Sequence, residues 1–199
     1  VDASLLQEAV SLTDILVQKV PLWEMYCNKE QNAAMVSFLA MSADKNILHW
    51  ADYDGKHTPL VDSWLDEEAI SMTGLDTGWD EYWQAVREDA ANYPGCEDYC
   101  RVVFAGGIPC AAICFGVFQN TLTVSEMVVN PAFRGLGIGT RMLSELVNMA
   151  KNFAFGSVNR LTAVVYPQNF GSQKAFRNAG FHLEGKTEDG VDFIYTYML

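Results

Sequence analysis

Two periodicities divide the chain. Over residues 1 to 45 apolar positions, among them Leu5, Leu12, Leu16, Met35, Phe38 and Leu39, recur three and four residues apart. That spacing predicts two helices, SLLQEAVSLTDILVQKV and NKEQNAAMVSFLAMSA, interrupted near Pro21. They form an N-terminal helical extension, expected to cover the rest of the chain, to meet a partner or to join two copies in a homodimer. NILHWADY (46–53) reads as a strand. A turn, DGKHTP, leads into a helix LVDSWLDEEAI with Thr58 and Pro59 at its start, and DEYWQAVREDAANY forms another helix stopped at Pro94-Gly95.

Beyond that point the pattern changes to strands. YCRVVFA, IPCAAICFGVFQ and TLTVSEMVV are joined by the turn signals Gly106-Gly107 and Gln119-Asn120, which predicts an antiparallel meander. A helix over 138–153, a strand RLTAVVY (160–166), a helix from Asn169 to Gly180 and the strands FHLEG and VDFIYTYML follow, the last two connected through Glu188-Asp189-Gly190. Residues 46–199 therefore read as one α/β (α+β) domain. Its sheet is mixed but mostly antiparallel, six- to seven-stranded and flanked by helices, and the helix at 138 crosses between a parallel strand pair.

Composition supports a globular chain and narrows its partners. With 199 residues, half of them hydrophobic, one substantial core can be buried. The longest apolar stretches, such as AAICFGVF, are too short to span a bilayer, and the N-terminal residues lack a signal-peptide pattern. A soluble, cytoplasmic protein is expected, with no membrane partner. The net charge of −12 disfavours a broad basic face for nucleic acid or anionic lipid. It would attract a cationic substrate, although acidity also serves solubility alone. Of the cysteines Cys27, Cys96, Cys100, Cys110 and Cys114, the last two lie four apart in a strand pattern. That places them about 13 Å apart, too far to share one zinc ion, so buried reduced thiols are expected. His49, His57 and His182 are too scattered to suggest a metal site.

The stretch FRGLGIGTRM (133–142) is where the chemistry begins. Backbone N–H groups at a helix start lack intrahelical acceptors and carry the positive end of the helix dipole, so they favour an anion. Glycine lets the anion approach, and consecutive amides can form a nest. A dinucleotide fingerprint requires Gly-x-Gly-x-x-Gly at the first turn of a parallel sheet, whereas here Gly-x-Gly-x-Gly follows antiparallel strands. A Walker loop fails for want of Gly-Lys-Ser/Thr.

Arg134-x-x-Gly137-x-Gly139, preceded by EMVVNP and followed by an amphipathic helix, resembles the acyl-CoA-binding motif of the GNAT superfamily of N-acyltransferases. Asn169-Phe-Gly-Ser172-x-x-Ala175-Phe176-Arg-Asn-Ala-Gly180-Phe181 resembles that family's second signature, and the likeness covers about residues 46–199. The resemblance implies that the strands TLTVSEMVV and RLTAVVY splay apart to admit the pantetheine arm of acetyl-CoA or another acyl-CoA. Met127, Val128 and Val129 would pair with that arm. The amides of Arg134, Gly135, Leu136, Gly137, Ile138, Gly139 and Thr140 would seat the pyrophosphate. Asn169 and Ser172 would face the cofactor from the other side, a role compatible with helix capping.

Acyl transfer to an amine needs a base, an oxyanion donor and a proton for the leaving thiolate. Glu126 is the acidic residue in its strand and the candidate base, unless it simply faces solvent. A strand amide near Met127 or Val128 is the candidate oxyanion donor. Many family members carry Tyr where this chain has Phe176, which cannot give a proton; Tyr166 or Ser172 can stand in, although Tyr166 also reads as a packing aromatic. For the acceptor, Asp66, Glu67, Glu68, Asp76 and Asp80 with Trp64, Trp79 and Trp83 offer carboxylates and ring faces for an amine or polyamine. They also read as a solvated acidic face with helix caps. The expected activity is N-acetyl transfer to a primary amine of a small molecule or peptide, without a metal. The alternative is a catalytically weak CoA-binding sensor or regulatory module.

Overall fold

The computed structural model describes residues 48–90 and 92–199. The helices expected over 1–45 and Cys27 lie outside the described residues. Strand β1 (Leu48–Asp52) leads through a 3-10 turn to two short helices, α1 (Thr58–Asp62) and α2 (Glu67–Thr73). The single helix expected over 60–70 is thus broken. Side chains that bond backbone explain the break: the Ser63 hydroxyl donates to the Leu60 carbonyl at 2.6 Å, and Asp66 caps α2 by accepting the Ala69 N–H at 2.9 Å. Trp64, in the gap, turns into the core and is 3% exposed. Helix α3 (Trp79–Ala90) begins where the Trp79 N–H donates to Asp62 at 2.8 Å, fixing α3 against α1.

The meander follows as β2 (Glu97–Ala105), β3 (Ile108–Phe118) and β4 (Thr121–Val129). The second turn carries positive φ at Gln119 and Asn120, as a two-residue primed hairpin requires. Helix α4 (Ile138–Lys151), β5 (Arg160–Val165), α5 (Phe170–Asn178), β6 (His182–Lys186) and β7 (Phe193–Met198) complete a seven-stranded sheet in the order β1-β2-β3-β4-β5-β7-β6. The pair β4–β5 is parallel, and the other paired strands are antiparallel.

Each sheet face has its own core. Against α4 and α5 pack Phe115, Leu122, Leu161 and Tyr195, with Phe133 from the loop before α4. From α4 come Ile138, Met142, Leu143, Leu146 and Val147, a stripe at helical spacing. Each fully buried side chain of this size is worth about 1.5–3 kcal/mol, enough to hold a helix that starts on glycine. The other face, over β2, β3 and β4, buries Val61, Trp64, Trp79, Cys100, Val102, Ala112 and Cys114 beneath α1 and α3. Cys100, Cys110 and Cys114 behave as buried apolar residues.

The feature that positions the site is a parting of strands. β4 pairs with β5 from Thr121–Arg160 to Val124–Ala163 and then stops. β4 nevertheless continues along β3 to Val129, and β5 continues along β7 to Val165. A bulge marks the parting: Cys114 pairs with Glu126 and Phe115 with Val124, leaving Ser125 as the extra residue. From Ser125 to Val129 the edge of β4 that faces β5 is unpaired.

Candidate active site

The glycine segment forms a seat at the N-terminus of α4. Asn130 anchors its approach, accepting the Ala132 N–H at 3.0 Å and donating to the Pro109 carbonyl at 3.2 Å. Gly135 and Gly137 have φ of 74° and 83°, values a side-chain-bearing residue adopts only with strain. No atom lies within 4 Å of where a Cβ would stand on either. Gly137 caps α4 without any side-chain bond, so the first-turn amides face this open space with the helix dipole behind them. Gly139 lies within the helix, where a Cβ would make ordinary contact with Ala175 Cβ and Met127 Cε, each at 3.5 Å, so α4 packs against α5 and β4 at this point.

Arg134 is committed elsewhere than to free solvent. Its guanidinium donates to the Val129 carbonyl at 3.2 Å, the Trp64 carbonyl at 3.0 Å and Asp66 at 2.6 Å, with Glu68 at 3.7 Å. It thereby ties the end of β4 to the start of α2. Burial would raise the Asp66 carboxyl, but the bonds from Arg134 and the Ala69 N–H prevail and hold it below its ordinary value.

A cavity of about 630 Å³ runs from this seat into the parting. Met127, Val128 and Val129 form one wall, Asn169, Ser172 and Ala175 the opposite wall, and Arg134, Gly135 and Gly137–Thr140 the far end, while α2 contributes Glu68, Ala69, Met72 and Thr73. Among the predicted cofactor residues, Leu136 does not line it; its side chain is 38% exposed. Asn169 does cap α5, accepting the Ser172 N–H at 2.9 Å, and lines the cavity as well.

Met72, Thr73, Met127, Asn169 and Ser172 also border a second, smaller cavity of about 50 Å³. It brings Glu126 together with Tyr166 and Phe176, which lie far along the chain beyond β5. Glu126 is half-buried, and burial pushes its carboxyl from 4.5 up to about 8, against the pull of a hydrogen bond from the Met127 backbone. Phe176 is 2% exposed, packed edge-on against Phe181 and stacked on Tyr195. It contributes shape and no proton.

The expected acceptor cluster is not assembled. Trp64 and Trp79 are buried, and the Trp79 indole donates to the Cys100 sulfur at 3.3 Å, so neither offers a face to a cation. Asp66 is held by Arg134, and Asp80 accepts the Tyr53 hydroxyl at 3.0 Å. Glu67 and Asp76 are exposed, outside both cavities. Apolar periodicity in α1 and α3 demanded core partners, and the tryptophans satisfied it. Two further participants escaped the sequence reading. Tyr82 on α3 bonds the bulge residue Ser125, and burial, aided by nearby Cys114 and Glu126, raises its phenol. Helix α2 borders both cavities through Met72 and Thr73. The polar Ser125 inside an apolar strand was the available signal for the bulge.

An uncapped helix start opening toward parted parallel strands, with a carboxyl beside the parting, is the arrangement on which comparison then bears. A sequence profile of the Acetyltransferase (GNAT) family matches residues 59–181, and the chain belongs to that family. No curated protein sequence matches the chain. Among solved structures, the aminoglycoside acetyltransferase AAC(6')-Ib in complex with coenzyme A is similar, with a TM-score of 0.62 at 14% identity over 76% of this chain and 95% of that one. The acetyltransferase from Salmonella typhimurium that modifies the N-terminal serine of ribosomal protein L7/L12 superposes with a TM-score of 0.56, at 15% identity over 76% and 95%. An acetyltransferase from Thermus thermophilus gives 0.59, at 20% identity over 76% and 97%. These likenesses establish the fold. Among the described residues, no helix is long and apolar enough to cross a membrane.

Proposed function

We propose that the chain is an N-acyltransferase that moves an acetyl or other short acyl group from acyl-CoA to a primary amine by direct attack within a ternary complex. The observation that carries this reading is that the two cavities share Met72, Thr73, Met127, Asn169 and Ser172 where β4 and β5 part, with Glu126 on the lining of the smaller one. The residues fit the cofactor: the uncapped α4 amides and the open space over Gly135 and Gly137 suit a pyrophosphate, and the unpaired β4 edge suits the amide-bearing arm. Bound acyl-CoA would supply the activated acyl group.

The protein's own groups then have distinct tasks. Glu126 takes a proton from the incoming ammonium, directly or through water; a carboxyl near 8 is matched to that work because base strength and ionised fraction are both adequate at neutral pH. A backbone N–H of β4, at Met127 or Val128, donates to the reacting carbonyl oxygen as negative charge develops on it. Tyr166, which borders the same small cavity, supplies the proton for the departing thiolate in place of a residue at Phe176. Asn169 and Ser172 hold the opposite wall.

The test is thiol release from acetyl-CoA with a panel of amines, alongside thermal unfolding with CoA. At about 100-fold over its dissociation constant CoA adds about 2.7 kcal/mol. Absence of any shift refutes CoA binding. A shift without turnover on any amine, and without an effect of Glu126→Gln, favours the sensor module.

A further inference from the structure

The small cavity at the parting has an uneven wall. Val164 and Tyr166, both on its lining, are 54% and 42% exposed, so they form the part that reaches solvent. Alternation along β5 explains this: Ala163 and Val165 point into the α4/α5 core, and Val164 must point to the opposite face. Met72, Thr73 and Ser125 complete the rim with apolar and hydroxyl groups, and Glu126 is the acidic residue among the cavity's lining.

Among the described residues, several carboxylates around α1–α3 are engaged. Asp66 holds Arg134, Asp62 receives the Trp79 N–H, and Asp80 receives the Tyr53 hydroxyl. On the sheet face beyond β5, Glu184 pairs with Arg160 and accepts the Thr196 hydroxyl. Glu68 borders the larger cavity, beside Arg134.

Resting on the acyltransferase reading, we propose that this rim selects an acceptor with a single amine charge on an apolar or hydroxyl-bearing body, and discriminates against polyamines and aminoglycosides. The one ammonium has Glu126 to receive its proton. An apolar body covers Val164, Met72 and the Tyr166 ring, and a hydroxyl finds Ser125 or Thr73. A second ammonium resting on Val164, Met72 or the Tyr166 ring would give up part of its water to apolar groups, and among the described residues Glu126 is the one carboxylate on this lining. Ring contact with half-exposed Tyr166 returns only a small part of that cost.

The experiment compares thiol release from acetyl-CoA with phenethylamine and isoamylamine against spermidine and kanamycin, at one ionic strength. Expected is a kcat/KM at least about tenfold higher for phenethylamine than for spermidine, the scale on which an apolar pocket discriminates. Val164→Glu places a carboxylate on the rim at an exposed position, and the ratio should fall about tenfold or invert. The CoA-induced thermal shift of the variant confirms that it folds. Equal or faster turnover of spermidine or kanamycin by the wild type, or an unchanged ratio in Val164→Glu, overturns the inference and leaves the acyltransferase reading standing. A CoA shift with no thiol release from any amine refutes that reading, and the inference with it.

Discussion

Glu126→Gln separates a catalytic carboxyl from a merely buried one. In the folded chain the group titrates at about 8, against 4.5 for an ordinary carboxyl, because burial disfavours its charged form. The sign follows from proton binding: between those two values the folded state holds the proton and the unfolded chain has lost it, so stability falls as pH rises. At about 1.4 kcal/mol per pH unit, the full difference corresponds to about 5 kcal/mol above pH 8. Water reaching the half-buried group should reduce the realised effect to about 2 kcal/mol. Gln occupies the same space and cannot ionise, so it escapes this loss. Thermal unfolding of both proteins at pH 5 and pH 9 should show the variant gaining about 4–8 °C relative to wild type on going to the higher pH. In kinetics, wild-type kcat/KM should climb toward pH 8 as the base form accumulates, and Gln should flatten that limb and lower the rate about 10²- to 10⁴-fold. Parallel stability profiles would refute the burial argument; full activity of the variant at pH 7.5 would refute the base.

Other substitutions probe the remaining parts. Gly137→Val forces a branched side chain to φ 83°. It should cost about 1–3 kcal/mol of stability by denaturant unfolding and abolish the CoA-induced shift. Tyr166→Phe should lower kcat about 10- to 100-fold with little change in the KM for acetyl-CoA, measured by steady-state thiol release. Arg134→Ala removes the guanidinium that joins α2 to the Trp64 and Val129 carbonyls. Limited proteolysis should then cut within 63–77 faster than in wild type, and CoA should bind more weakly because α2 borders its cavity.

Much of the architecture was legible because local signals agreed with one another. β-rich runs bounded by Gly106-Gly107 and Gln119-Asn120 marked the meander, and all four of these residues adopt the positive φ that the turns demand. The turn before α4 was legible for the same reason, since Gly135 and Gly137 sit where the backbone takes positive φ. The break between α1 and α2 was harder to see. It depends on Ser63 and Asp66 bonding the backbone and on Trp64 finding a core beneath it, and periodicity reports none of this. The acidic and tryptophan-rich stretch stayed open between a ligand site and helix caps for a related reason. A carboxylate or an indole looks alike in sequence whether it caps a helix, fills a core or receives a ligand, and only its neighbours decide.

Within residues 92–199 the sequence by itself determined the strands and helices, their order and the glycine turn before α4, all consequences of contacts within a few residues. Only the tertiary structure decided that β4 and β5 stop pairing after Val124 and Ala163, and that a bulge at Ser125 sets Glu126 at the apex. It also decided that this carboxyl is buried enough to titrate near 8. The physical reason is that desolvation and strand separation are sums over groups distant in the chain. No local pattern encodes those sums, and the folded sheet alone brings Glu126, Tyr166 and α2 to one cavity.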